Sequence, residues 1–150
     1  FVPGHHCIDN AIHTYSGIQL RLTCHNIMQR QGYEEPTGTA KITPAFNLPS
    51  EYVLHTVGPI IPGLQPSRAQ EEQLGSCYRS CLELAAQNGL RAVAFCCIST
   101  GEFHFPNKRA AEIAIAAVRD FQSSHTDMRV VFNVFKDTDY EIYRELLQTD

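Results

Sequence analysis

An α/β fold, with a mostly parallel sheet between helical layers, is the class this sequence predicts, and three observations predict it. Short runs rich in β-branched and apolar residues alternate with amphipathic stretches of roughly ten to twenty residues. Two of the runs, LRAVAFCCIS at 90–99 and MRVVFNVF at 128–135, are apolar almost throughout, as strands covered on both faces are. The length of 150 residues, with 43% hydrophobic and 19% charged residues, suits one globular domain.

Each element has its own signal. Ile8, Ile12, Tyr15, Ile18 and Leu22 recur near helical spacing and predict one helix over 8–30, with Asp9 or Asn10 in its first turn and Gly32 as its stop. Two short strands follow, near 39–43 and 52–57, separated by the Asn47-Leu48-Pro49-Ser50 turn and bounded by Pro44 and Pro59. The loop IIPGLQPS leads into a helix over 68–88, striped by Leu74, Cys77, Tyr78, Cys81, Leu82 and Ala85 and capped by Gly89. After the 90–99 strand and TGEFHF, Pro106 starts a helix whose Ala110, Ile113, Ala114, Ala117, Val118 and Phe121 share a face. The 128–135 strand precedes a closing helix over 140–147, capped by Asp137 or Thr138.

The net charge of −4, with no clustered Lys/Arg window, excludes nucleic-acid binding by bulk charge. A small phosphorylated ligand held by backbone N–H groups stays open. No apolar run approaches membrane-spanning length. The six cysteines and the lack of a secretory signal suggest a reducing, cytoplasmic setting. Cys77, Cys81, Cys96 and Cys97 sit in apolar runs, which leaves Cys7, placed among histidines, as the distinctive thiol.

In an open α/β sheet, ligands sit outside the carboxyl ends of the strands, and three stretches lie at that edge. In ISTGEFHFP, Ser99, Thr100 and Gly101 offer hydroxyls and a close-approaching backbone for an anion, and Phe103 and Phe105 offer rings; the same pattern also describes a glycine turn closed by aromatics. In FNVFKDTDY, Asn133 and Phe135 suit the far end of a ligand, a phosphate or ribose for the amide and an adenine for the ring, or simply close a strand. In FVPGHHCIDNAIH, His5 and Cys7 form an H-x-C pair whose donors both suit zinc, with His6, His13 or a residue upstream of Phe1 as third ligand; the pair is otherwise incidental. Asp9 can orient a water, accept a ribose hydroxyl or cap the helix, and His13 reads best as a packing histidine.

Taken together, these stretches resemble a macrodomain, the fold that binds ADP-ribose. IDNAIH with GIQLR resembles the family's helix-opening segment, GTAKITPAFNLPSEYVLHTVGP its central strand–turn–strand signature, and CISTGEFHFP its diphosphate loop; CYRSCLELAAQNGLRAVAF fits the same pattern. FVPGHHC is similar to the zinc-dependent branch of microbial ADP-ribosyl hydrolases. The resemblance implies a three-layer α/β/α macrodomain with a mixed, mostly parallel central sheet over 1–150. It also implies that the chain is the C-terminal portion of a longer protein, with the first strands and helix upstream. His5 and Cys7 match two of the branch's three zinc ligands, and the third would be the residue before Phe1. Ile8, Asp9 and Asn10 would line the distal ribose, with Asp9 positioning the reacting group. Ser99, Thr100, Gly101, Glu102 and Phe103 would wrap the diphosphate and distal ribose, with Asn133 and Phe135 toward the adenosine.

The activity this implies is zinc-dependent removal of ADP-ribose from modified protein side chains. A lipoyl-carrier protein is one implied substrate, and a sirtuin-like transferase would do the opposing chemistry. Two rivals remain: a reader module that binds ADP-ribose without cleaving it, and a zinc-stabilised interaction domain with no nucleotide ligand.

Overall fold

Local capping and strand pairing set the frame of the computed structural model, which describes residues 7–63 and 65–148. Helix α1 (Ile8–Ser16) and helix α2 (Ile18–Gln31) come first. The single helix expected over 8–30 is broken at Gly17, whose φ of 92° and ψ of −178° end α1 and open α2. The cause is tertiary. Ser16 Oγ donates to Ala45 O at 2.6 Å, and Asn47 N donates to Ser16 O at 3.3 Å. A Cβ at position 17 would stand 2.9 Å from Asn47 Nδ2, so glycine alone meets both the positive φ and the close approach. Gly32 ends α2 as expected, left-handed, with its N–H donating to Met28 O at 2.9 Å.

Strands β1 (Ala40–Pro44) and β2 (Tyr52–Thr56) pair antiparallel, with Ala40 opposite Thr56 and Pro44 opposite Tyr52. Helix α3 (Arg68–Gln87) opens on a reciprocal capping box: Ser67 Oγ accepts from Gln70 N, and Gln70 Oε1 accepts from Ser67 N. It closes with Asn88 as cap and Gly89, at φ 71°, beyond it. Gly89 N donates to Ala86 O and Leu90 N to Ala85 O, the paired bonds of a Schellman motif.

Strand β3 (Ala92–Phe95) and strand β4 (Arg129–Phe132) are parallel neighbours, Ala92 opposite Arg129 and Phe95 opposite Phe132. Helix α4 (Asn107–Gln122), with Pro106 at its N-cap, is the crossover between them. Both strands are shorter than their apolar runs, because the ladder register ends at Phe95 and Phe132, while Cys97 and Val134 beyond it pack against Ala111, Ile115 and Tyr143 of α4 and α5. Helix α5 (Asp137–Gln148) starts a turn earlier than expected, so Asp137 and Thr138 lie inside the helix rather than at its cap.

Among the described residues the strands form two two-stranded sheets, β1–β2 and β3–β4. The first lies between α3 on one face and α1 and α2 on the other. The second packs Val93 and Phe95 against α3 and α4 and leaves Ala92, Ala94, Arg129 and Val131 exposed on its other face. Strands β3 and β4 are thus covered on one face and not on both as expected. The mixed pairing matches expectation, but parallel pairing is confined to β3–β4. A short turn joins β1 to β2 and forces the antiparallel arrangement there. The main core joins Leu74, Tyr78, Leu82 and Ala85 of α3 to Ala110, Ala114, Ala117 and Val118 of α4, over Val93 and Phe95 of β3. The alanines let the two helix backbones approach closely. Tyr78 lies against Phe95 with ring centroids 4.9 Å apart. A smaller cluster ties Ala111 and Ile115 of α4 to Tyr143 of α5. No helix among the described residues is long and apolar enough to cross a membrane.

Candidate functional site

The opening segment is anchored by α1. Cys7 is its N-cap, extended at φ −117° and ψ 163°; the side chain makes no capping hydrogen bond, and the carbonyl accepts from Ala11 N. The thiol is half-buried and forms no disulfide. His5 and His6 lie outside the described residues. Asp9 is not the cap but stands in the first turn, where a carboxylate suits the helix N-terminus. Ile8 is exposed and Asn10 half-buried.

Asp9 Oδ1 lies 3.7 Å from His13 Nε2, one turn along the helix. The carboxylate side chain is 51% exposed, whereas the imidazole is only 4% exposed. Burial lowers the His13 pKa below the ordinary histidine value; Asp9 opposes that shift and Arg21 adds to it. His13 therefore packs, as expected, but it packs directly behind the candidate carboxylate. Behind it in turn stands His55 of β2, ring centroids 6.4 Å apart. His55 Nε2 lies 2.9 Å from Thr43 Oγ1 and 3.9 Å from Cys24 Sγ. Burial, then the neighbouring His13, lower the His55 pKa.

The loop after β3 is built around backbone strain. Ser99 and His104 both take positive φ, 64° and 57°, a costly conformation for residues with side chains. Thr100 Oγ1 donates to Cys97 O, His104 N to Gly101 O and Phe105 N to Ser99 O, which folds 97–105 back on itself. Ile61 N donates to Phe103 O at 2.9 Å and stitches this loop to the one after β2. Gly58 of that second loop lies against Ser99, so closely that a Cβ there would collide with Ser99 Oγ. The buried Ser99 Oγ has no hydrogen-bond partner among the described residues. Such a group fits a site that receives an external oxygen. Gly101 and Glu102 are exposed and Phe103 half-buried, whereas Phe105 is core at 1% exposure and offers no ring to a ligand.

Phe95 and Phe132 are ladder partners, so the loops leaving β3 and β4 emerge at one sheet edge. Asn133 N extends the ladder to Phe95 O at 2.7 Å while the residue stays exposed, and Phe135 is 98% exposed. Strand β2 is the element that the other two stretches share. His55 faces α1, and three residues later Gly58 abuts the 97–105 loop.

Among the described residues, no three His, Cys, Asp or Glu side chains gather into a metal-holding group. Cys7 is the donor of the predicted pair that they include, and its chemistry fits zinc: a half-buried sulfur, unused as a cap. His55, Thr43 and Gly58 escaped the sequence reading. For His55 the signal was the period-two alternation of VLHTVGP, which puts Leu54 on the core face and His55 on the other.

Comparison with known proteins bears on this geometry. The Macro domain model matches residues 2–114. A protein of Treponema medium called a protein-ADP-ribose hydrolase is 58% identical over 146 residues, 97% of this chain and 56% of its own length. The chain thus spans about half the length of the curated relatives it matches. The solved structure of a mutant Oceanobacillus iheyensis macrodomain with ADPR superposes at a TM-score of 0.90 and 38% identity, covering 97% of this chain and 78% of that one. A Trypanosoma brucei macrodomain in complex with ADP-ribose gives a TM-score of 0.82 at 34% identity, covering 96% and 58%. With helices packed about mixed strands, and with these likenesses along nearly its whole length, the chain belongs to the Macro domain family.

Proposed function

We propose that the protein is a cytoplasmic, zinc-dependent hydrolase that removes ADP-ribose from modified protein side chains. The observation that carries this reading is the Asp9 carboxylate, half-exposed at the first turn of α1 and backed at 3.7 Å by a buried imidazole. Binding alone would need only the loop after β3, an exposed ring and an acceptor for a ribose hydroxyl; cleavage in addition gives the half-exposed carboxylate a water to orient. The name of the Treponema medium relative supports cleavage.

On this reading Ser99, Thr100, Gly101, Glu102 and Phe103 hold the diphosphate and distal ribose. Ile8, Asp9 and Asn10 line the ribose, and Asn133 and Phe135 serve the adenosine. Water attacks the anomeric carbon as the bond to the modified side chain breaks. The side chain leaves with the bonding electrons and takes a proton, and the attacking water loses one. Asp9 orients that water and faces the positive charge that develops on the ribose. His5 and Cys7 would hold the zinc together with a third protein ligand. When bound, the ion supplies Lewis acidity to a water or ribose hydroxyl. A modified lipoyl-carrier protein is the proposed substrate, with a sirtuin-like transferase supplying the modification.

The test uses the full-length protein on a mono-ADP-ribosylated protein, with free ADP-ribose as the readout. Wild type releases it and carries stoichiometric zinc. Cys7→Ala loses turnover while keeping part of the ADP-ribose affinity. A Cys7→Ala protein that cleaves at the normal rate would end the metal-dependent reading. A wild type that binds ADP-ribose and never cleaves would make the protein a reader.

A further inference from the structure

We infer that His55 is a positioning residue for the proposed hydrolysis: it fixes the His13 imidazole and, through it, the Asp9 carboxylate. The inference rests on the hydrolase reading above and extends it to a residue on a different element, β2. Alternation along β2 turns Leu54 into the core beneath α3 and His55 toward α1 and α2. An aliphatic residue would fill that half-buried strand position at lower desolvation cost, since an imbedded imidazole must keep its hydrogen bonds.

Three elements converge on the ring. Thr43 Oγ1 of β1 lies 2.9 Å from His55 Nε2, Cys24 Sγ of α2 lies 3.9 Å from the same nitrogen, and the His13 ring of α1 lies 6.4 Å away, tilted by 48°. Thr43 pairs with Val53 in the ladder, so it sits diagonally across from His55 on the same face. Thr43 is buried, and burial raises the Cys24 pKa, which keeps that neighbour a neutral thiol. Thr43 and Cys24 together leave the His55 ring little freedom to rotate. His13, nearly sealed from water, is then confined between His55 on one side and Asp9 on the other. The file Asp9, His13, His55, Thr43 therefore runs from a half-exposed carboxylate into the sheet. Asp9 and His13 from α1, Arg21 and Cys24 from α2, and Lys41 of β1, the ladder partner of His55, are titratable groups around it. Reaction rates respond steeply to the placement of such groups, by about a hundredfold for a 1 Å error.

The test compares wild type, His55→Leu and His55→Gln in the full-length protein. Leucine keeps the bulk and removes the polar ring; the glutamine amide still reaches Thr43 Oγ1. For His55→Leu, kcat falls by about tenfold or more while KM changes by less than about threefold, because the contacts of the diphosphate loop and of the adenosine end are untouched. His55→Gln recovers most of kcat. Independently of activity, the His13 ring Cε1–H resonance in a heteronuclear NMR spectrum moves in His55→Leu and returns toward its wild-type position in His55→Gln. A His55→Leu protein with wild-type kcat and an unmoved His13 resonance overturns the inference. So does equal loss of kcat and melting temperature in both variants, since that marks packing alone. A wild type that releases no ADP-ribose contradicts the hydrolase reading itself; the His13 resonance then still decides whether His55 orders His13.

Discussion

Replacing Gly58 with alanine asks whether the loops after β2 and β3 act as one surface. Gly58 is buried, and the added methyl would fall well inside contact distance of Ser99 Oγ and 2.8 Å from Ile98 Cγ2. The loops cannot simply part, because Ile61 N donates to Phe103 O at 2.9 Å across the same junction. Overpacking of this kind costs about 1–3 kcal/mol. At roughly 2–4 °C per kcal/mol for a chain this size, the melting temperature falls by about 2–12 °C. The same displacement moves Ser99, Thr100 and Gly101, so ADP-ribose affinity falls by about tenfold, which corresponds to about 1.4 kcal/mol. Calorimetry measures both quantities on one preparation: a thermal scan of the full-length protein, then titration with ADP-ribose. Ser99→Gly supplies the control, since it deletes the struck atom and suits the φ of 64°. The double variant recovers part of the loss, with a coupling of about 0.5–3 kcal/mol, while Ile98 retains the remainder. A Gly58→Ala protein that melts and binds like wild type, or strict additivity in the double variant, would refute the shared-surface geometry.

Two further predictions concern the frame that holds the site. Asn107→Ala removes the Nδ2 donor that reaches Asp139 Oδ1 at 2.5 Å and joins the start of α4 to the start of α5. With Asp139 only 5% exposed, the loss costs about 1–3 kcal/mol and appears as a lower urea midpoint; an unchanged midpoint would show that the pair contributes nothing. The Arg109 guanidinium, bonded to both Glu71 oxygens, holds that carboxyl below its ordinary value. Because the folded pKa lies below the unfolded one, this stabilisation is present above about pH 4.5 and is lost as pH falls through the folded pKa. Glu71→Gln therefore costs up to about 1 kcal/mol at neutral pH, for a pair this exposed, and progressively less in acid. Stability curves for the two proteins that stay parallel across the acid range would contradict that sign.

The elements were largely legible in the sequence, and the exceptions share a physical form. The stripe of Leu74, Tyr78, Leu82 and Ala85 placed α3, and Gly89 marked its end, because both signals are local. Gly17 did not show as a break, because the apolar spacing runs on through Ile18 and Leu22; the break is imposed from outside by Ala45 and Asn47. The CysCys pair reads as strand because it is apolar, yet the ladder ends at Phe95. At the site, Ser99, Thr100 and Asp9 stood out by residue type. His55 and Gly58 did not, since a histidine in a strand and a glycine before a proline are commonplace. They matter only through contacts with α1 and with Ser99 that the chain makes on folding. Phe105 was misplaced for the converse reason: an aromatic in a loop that the fold turns inward.

The measurement that bears most directly on the account is the rate at which the full-length protein frees ADP-ribose from a mono-ADP-ribosylated protein, compared with its Asp9→Asn variant. The account predicts a fall of about a hundredfold or more, with ADP-ribose affinity held within about tenfold, since the amide keeps the shape of the carboxylate but not its charge or basicity. An Asp9→Asn protein that cleaves as fast as wild type would contradict it.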